Sequence, residues 1–287
     1  MNILWAVIWF TVLGSVIGFL LAFADKVFNV HVDDRIIQIG DLLPGANCGG
    51  CGYSGCKALA TAIVDGKASP TACTAAKLEA SAEISGIIGL KFVTPIKMRA
   101  QVMCSGTLEH AKKKYIYSGA HDCVSAVRLG GGNKVCPNGC IGLGTCVSKC
   151  KFDAITVVDG VAVVDYKKCT GCGTCVSACP KRIIKLIPFN NEHWVGCMSV
   201  ENAKDTRSYC DVGCISCRLC EKSCGSDAIH VDHFVASIIY NKCIECGTCV
   251  EKCPRHIIWS SKKQTQVGVI ISKELLKDEV EDISNQS

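Results

Sequence analysis

The chain has 287 residues, among them 24 cysteines and 27 glycines, with only 6% aromatic residues. That length allows about two domains, and it is too long for a secreted disulfide scaffold, where cysteine density of this kind belongs to short chains. The formal charge of +5 counts every thiol as neutral, whereas thiols that hold metal are anionic, so this basicity is no argument for a nucleic-acid partner.

Residues 3–24 read ILWAVIWFTVLGSVIGFLLAFA, 22 residues without a charge. That is enough for one membrane-crossing helix, with Trp5 and Trp9 near one interface. A cleaved signal peptide is the alternative. The apolar run is too long for that, no Lys or Arg precedes it, and Phe23-Ala24-Asp25-Lys26 is a poor cleavage site. A retained anchor over 1–26 is therefore expected. Gly14-x3-Gly18 is a weak signal for a second helix close by.

Residues 27–90 carry a four-cysteine domain. Cys48, Cys51 and Cys56 form C-x2-C-x4-C, and Cys73 follows. The intervening glycines let the backbone bend round a cluster and aim amides at its sulfurs. Helices are expected over 57–65 and 70–84, which puts Cys73 near a helix start, where a thiolate is favoured. A zinc site with the same ligands is the alternative, although zinc sites usually pair two short knuckles.

Between 85 and 135 a strand is expected over 96–104. Lys112, Lys113 and Lys114 read as a solvated charge run. The loop Gly130-Gly131-Gly132-Asn133-Lys134 matches neither nucleotide-binding glycine pattern, so no nucleotide site is expected in the chain.

Cys169, Cys172, Cys175 and Cys179-Pro180 form C-x2-C-x2-C-x3-C-P, and the run recurs at Cys243, Cys246, Cys249 and Cys253-Pro254. This is the ligand pattern of bacterial 4Fe–4S ferredoxins, in which the fourth cysteine serves the neighbouring cluster. The runs belong to an internal repeat with an offset of 74 residues. Cys123 pairs with Cys197, Cys136 with Cys210, Cys140 with Cys214, Cys146 with Cys220 and Cys150 with Cys224. Each copy reads as a two-cluster module, over 91–186 and 187–262, with a hairpin at 154–165 turning on Asp159-Gly160.

The copies differ where the second has Cys217 and the first has Leu143. Cys136 is expected to replace that ligand. Crossed pairing then gives Cys136, Cys140, Cys146 and Cys179 for one cluster and Cys150, Cys169, Cys172 and Cys175 for its neighbour. In the second copy it gives Cys214, Cys217, Cys220 and Cys253, and Cys224, Cys243, Cys246 and Cys249. With the first domain this makes five clusters. Each carries about −2, bringing the total charge to about −5. Cys104, Cys123, Cys197 and Cys210 remain. They suffice for a sixth cluster and are equally compatible with inert buried thiols. The metal centres supply much of the stability, so the metal-free chain should be largely unfolded beyond the first helix. The tail over 263–287 is charged and is expected to form a short helix that frays.

The expected class is α+β: one transmembrane helix, a small helical four-Cys domain and two tandem ferredoxin-like modules. In this order, and in Cys48-Gly49-Gly50-Cys51-Gly52-Tyr53-Ser54-Gly55-Cys56 with Cys73, the chain resembles the B subunits of Rnf complexes. The match is to the long form of anaerobic bacteria such as clostridia. The resemblance implies a membrane complex that oxidises reduced ferredoxin, reduces NAD and translocates Na+ or H+. Flavin, nucleotide and ion path then belong to the other membrane and peripheral subunits. This chain performs no bond-making catalysis; it relays electrons. Reduced thiols place the clusters in the cytoplasm and the amino terminus outside, with the helix in membrane lipid. Lys181-Arg182 and Arg255-His256 are candidates for docking an acidic ferredoxin, with plain solvated charge as the alternative. The rivals to this reading are the electron-transfer subunit of another membrane redox complex, such as a hydrogenase or a formate-oxidising system, and a zinc-binding structural or regulatory protein.

Overall fold

A computed structural model describes residues 2–28 and 33–261. Helix α1 (Asn2–Phe28) contains an 18-residue stretch of mean hydropathy 2.3, none of it buried by the rest of the chain. By length and composition it is able to cross a membrane. Its hydroxyls are satisfied within the helix: Thr11 Oγ1 donates to the carbonyls of Val7 and Ile8, and Ser15 Oγ to that of Thr11. That is how a polar side chain is accommodated where water is absent.

Helices α2 (Asp34–Leu42), α3 (Cys56–Val64) and α4 (Leu78–Ile88) pack round Ile39, Leu43, Leu59, Ile63 and Ile84. Asp33 caps α2 by accepting the Arg35 N–H, one of the donors every helix start leaves free. Gly89, at φ 74°, ends α4 in the left-handed conformation that glycine adopts without strain. The helix expected from residue 70 starts later. Residues 70–77 form turns, with Ala72 N–H on the Ser69 carbonyl and Ala76 N–H on that of Cys73. Cys73 therefore sits in a turn ahead of α4, not at a helix start.

Two similar units follow. In the first, β1 (Met98–Val102) precedes α5 (Cys123–Gly130) and α6 (Thr145–Lys149). The hairpin β2 (Ile155–Val158) and β3 (Val161–Val164), α7 (Thr174–Ala178) and β4 (Ile184–Pro188) complete it. In the second, β5 (His193–Val195) precedes α8 (Ala203–Tyr209) and α9 (Leu219–Lys222). The hairpin β6 (Ile229–Asp232) and β7 (Val235–Ile238), α10 (Thr248–Lys252) and β8 (Ile258–Ser260) follow. The first hairpin turns on Asp159 and Gly160, both at positive φ, as that dipeptide dictates. In each unit the first and last strands pair antiparallel, Val102 opposite Ile184 and Val195 opposite Ile258. Ile155, Ile183 and Ile184 fill one core; Ile229, Ile257 and Ile258 fill the other.

From α6 onward the two units keep the offset of 74, but β1 and β5 do not. Val102 and Val195 hold the same place 93 residues apart. The first unit thus carries an insertion between β1 and α6, and α5 lies in it. The insertion also joins the units. Lys112 N–H bonds the Tyr209 carbonyl at 2.8 Å, Asp211 N–H the His110 carbonyl at 2.9 Å, and Trp259 Nε1 the Ser105 hydroxyl at 2.7 Å. The tail over 263–287 lies outside the described residues.

Candidate metal centres

The thiols gather in groups. In the four-Cys region Cys51, Cys56 and Cys73 face one another, and Cys48 precedes them on a loop bent by Gly49 and Gly52 at φ 73° and 86°. Asn47 ties that loop down by accepting the Cys56 N–H at 2.8 Å. In the first unit Cys175 faces Cys150, Cys169 and Cys172. In the second, Cys249 faces Cys224, Cys243 and Cys246. A cavity of about 330 Å³, counted to its mouth, is lined by Cys214, Cys217, Cys220 and Cys253. In each of these groups the structure brings together thiols from one expected set.

Two other groups differ from the expected sets. The corresponding cavity of the first unit, about 390 Å³, is lined by Cys123, Cys140, Cys146 and Cys179. Cys136 is elsewhere: with Cys104, Cys197 and Cys210 it lines a third cavity, about 340 Å³, between the units. The structure therefore brings Cys123, not Cys136, to the thiols beside Leu143. The cause is α5. Ala126 and Val127 on this helix pack against Ile141 and Leu143, and Cys123 is its first residue. Cys123 N–H donates to Thr145 Oγ1 at 2.7 Å, and that hydroxyl donates to Asp122 Oδ1 at 2.8 Å. Asp122 caps the helix by accepting Ser125 N–H at 2.8 Å. The Ser125 amide and the Thr145 hydroxyl hold its carboxyl down at about 2.

The pairing of Cys123 with Cys197 by offset is corrected in the same way. Cys197 Sγ accepts the Cys214 N–H and Cys104 Sγ accepts the Cys140 N–H, both at 3.4 Å. Cys104 is therefore the structural counterpart of Cys197. The cavity between the units takes one such matched pair, Cys104 and Cys197, and a second, Cys136 and Cys210.

The surroundings suit an anionic, thiolate-bound group. Backbone amides point at sulfur: Ala100 to Cys169, Ala154 to Cys150, Ala162 to Cys140 and Ala228 to Cys224, at 3.3–3.5 Å. Such contacts stabilise charge on the sulfurs. Lys134 lines the cavity between the units and is 2% exposed, and among the described residues its ammonium bonds only neutral carbonyls, Gly106 at 2.6 Å and Gly160 at 2.9 Å. A buried cation with such partners needs an anion close by. Lys181 donates to the Pro137 carbonyl at 2.6 Å and Arg255 to that of Cys210 at 2.9 Å. These two candidate docking charges are thus tied to nearby carbonyls, and both side chains stay partly exposed. Among the described residues no three His, Cys, Asp or Glu side chains are placed to hold a single metal ion; the thiols instead ring cavities.

Burial pushes the Cys140, Cys146, Cys175, Cys197 and Cys220 thiols up to about 12. Bare, they hold their protons at neutral pH; as ligands they must lose them. On loading, the thiols of each four-thiol centre are expected to release about four protons beyond those given up by the sulfide supplied, read by a pH indicator in weakly buffered, oxygen-free solution against a protein-free iron and sulfide blank. Uptake should weaken as the pH falls.

A family model for an Fe-S cluster matches residues 43–75, one for a 4Fe-4S binding domain residues 162–185, and one for a 4Fe-4S dicluster domain residues 213–258. The chain is 44% identical to the B subunit of the Na(+)-translocating ferredoxin:NAD(+) oxidoreductase complex of Acetobacterium woodii, over 86% of this chain and 74% of that protein. It is 40% identical to the B subunit of the ion-translocating oxidoreductase complex of Methanosarcina acetivorans, over 86% and 94%. It is 39% identical to the B subunit of the proton-translocating ferredoxin:NAD(+) oxidoreductase complex of Clostridium ljungdahlii, over 85% and 87%. With thiols grouped in fours, 4Fe–4S domains at both repeats and relatives of this kind along most of its length, the chain belongs to the family of B subunits of ion-translocating oxidoreductase (Rnf) complexes, as an electron-transfer iron–sulfur subunit.

Proposed function

We propose that this chain accepts electrons from reduced ferredoxin and relays them through six 4Fe–4S centres toward partner subunits that reduce NAD and translocate Na+ or H+. The carrying observation is the thiol group between the units. Two cysteines from each unit meet there, so the ligand groups form an unbroken series. The four-Cys region lies against the Cys172 loop at Gly50. Cys175 faces Cys146 across the first unit. Cys140 reaches Cys104, and Cys197 reaches Cys214. The last two groups share the second unit.

The ligand sets are Cys48, Cys51, Cys56 and Cys73; Cys150, Cys169, Cys172 and Cys175; Cys123, Cys140, Cys146 and Cys179; Cys104, Cys136, Cys197 and Cys210; Cys214, Cys217, Cys220 and Cys253; and Cys224, Cys243, Cys246 and Cys249. Bound clusters supply reversible one-electron storage. The chain's own groups space the centres, aim amides at their sulfurs and bury thiols in four of the six sets. No general base or nucleophile is required. Helix α1 would hold the subunit in the cell membrane, with its amino terminus outside and the centres in the cytoplasm beside the other subunits.

Iron and sulfide counts on protein purified without air test the reading. About twenty-four of each per chain, reducible by ferredoxin, supports six centres. About twenty removes the group between the units, and a colourless, redox-silent protein removes the proposal altogether.

A further inference from the structure

Arg99 on β1 is 2% exposed, the largest of the fully buried side chains. A guanidinium does not give up its proton in a protein, and an isolated buried charge is strongly unfavourable. The groups that hold it are nonetheless neutral. It donates to Gln101 Oε1 at 3.0 Å and to the Asn191 carbonyl at 2.8 Å. It lies over the Tyr166 ring at 4.0 Å and the Trp194 ring at 5.4 Å, and these rings meet edge-on.

Its position relates it to two thiol groups at once. Tyr166 stands three residues before Cys169, and Tyr240 three residues before Cys243. The Arg99 charge acts on both phenols, opposing the upward push of their burial. The next residue, Ala100, gives its N–H to Cys169 Sγ at 3.4 Å. On the other side Asn191, whose carbonyl takes Arg99, gives its side-chain amide to the Glu245 carboxylate, between Cys243 and Cys246. Arg99 is thus set at the junction of the units, between the Cys169 loop and the Cys243 loop.

We propose that Arg99 is a positioning residue whose fixed charge is balanced by the centres on these two loops and raises the reduction potential of both. The proposal rests on the reading that Cys150, Cys169, Cys172 and Cys175, and Cys224, Cys243, Cys246 and Cys249, hold 4Fe–4S centres. A nearby cation favours the more negative, reduced form of each. One residue then sets one centre in each unit together.

The test compares R99Q, which keeps hydrogen-bond donors and drops the charge, with R99K, which keeps the charge. Full-length protein loaded without air is titrated potentiometrically and followed by low-temperature electron paramagnetic resonance. For two of the centres, R99Q is expected to show about a tenfold lower reduced-to-oxidised ratio at fixed potential, a shift of about 59 mV for a one-electron couple. R99K should stay near the wild type. An R99Q titration that overlays the wild type overturns the proposal. Iron loss in R99Q but not in R99K supports it, because only the charge then holds the anionic centres. Equal iron loss in both assigns Arg99 to packing and overturns it. A wild-type chain with no low-potential signal fails the electron-relay reading itself, and shows this before any substitution is made.

Discussion

A Cys197→Ser chain is expected to lose one centre, about four irons in twenty-four, and with it the passage of electrons between the two units. Cys197 Sγ accepts the N–H groups of Ser199 and Cys214, each at 3.4 Å, and it lines the cavity shared by the units. Loss of its thiolate opens the only ligand set drawn from both units, while every other set keeps four thiols. In stopped-flow reduction by ferredoxin, the fast phase should shrink to the centres on one side. The remainder should slow by on the order of a hundredfold, the scale on which lost alignment of reacting partners is felt. Cys136→Ser should behave like Cys197→Ser. Cys123→Ser should instead remove the signal that Cys140→Ser or Cys179→Ser removes. This grouping of variants decides the ligand sets, because spacing alone would class Cys136 with Cys140. A Cys197→Ser chain with full iron and undiminished transfer would sink the linking role.

The contrast between these two cysteines shows what was readable in the chain and what was not. Cys169, Cys172 and Cys175 announce themselves because ligands on one loop must keep a short local spacing, and their copies at Cys243, Cys246 and Cys249 repeat the register. The first hairpin was readable for the same reason, since Asp159-Gly160 sets a turn by its own backbone preferences. Cys104 carries no local pattern. Its place is set by β1, which pairs with a strand far along the chain, from Val102 opposite Ile184. The insertion after β1 then breaks the offset, so counting matched Cys123 to Cys197 when the backbone matches Cys104. The available clue was Leu143, a missing ligand close to an unplaced Cys123. Choosing Cys123 over Cys136 required knowing that α5 folds back onto Leu143. The charges of Lys181 and Arg255 were plain in the sequence; their hydrogen-bond partners, the carbonyls of Pro137 and Cys210, are ones that only the fold brings near.

Replacing Gly50 by alanine is expected to separate the four-Cys region from the rest of the series without costing iron. A Cβ at Gly50 would lie 2.6 Å from both the Cβ and the carbonyl oxygen of Cys172. Neither atom is the end of a flexible side chain, so the loops must move apart by about 1 Å to reach ordinary contact. The position is suited to the test because no left-handed backbone is required there. At Gly49 and Gly52, with φ 73° and 86°, a side chain would strain the ligand loop itself and confuse lost docking with lost metal. The seat is otherwise modest: Lys151 Nζ reaches the Asn47 carbonyl at 2.8 Å in an exposed bond, of the kind worth about 1 kcal/mol. Lys151→Met should therefore weaken the contact mildly, whereas Gly50→Ala wedges it open. Iron content and helix signal should match the wild type in both variants. Electron exchange between the first centre and the others should fall by on the order of ten- to a hundredfold in Gly50→Ala, measured by freeze-quench spectroscopy after a reducing pulse. Unchanged exchange would mean that electrons do not cross at Gly50 and Cys172, and the four-Cys centre would have to meet its partner on another surface.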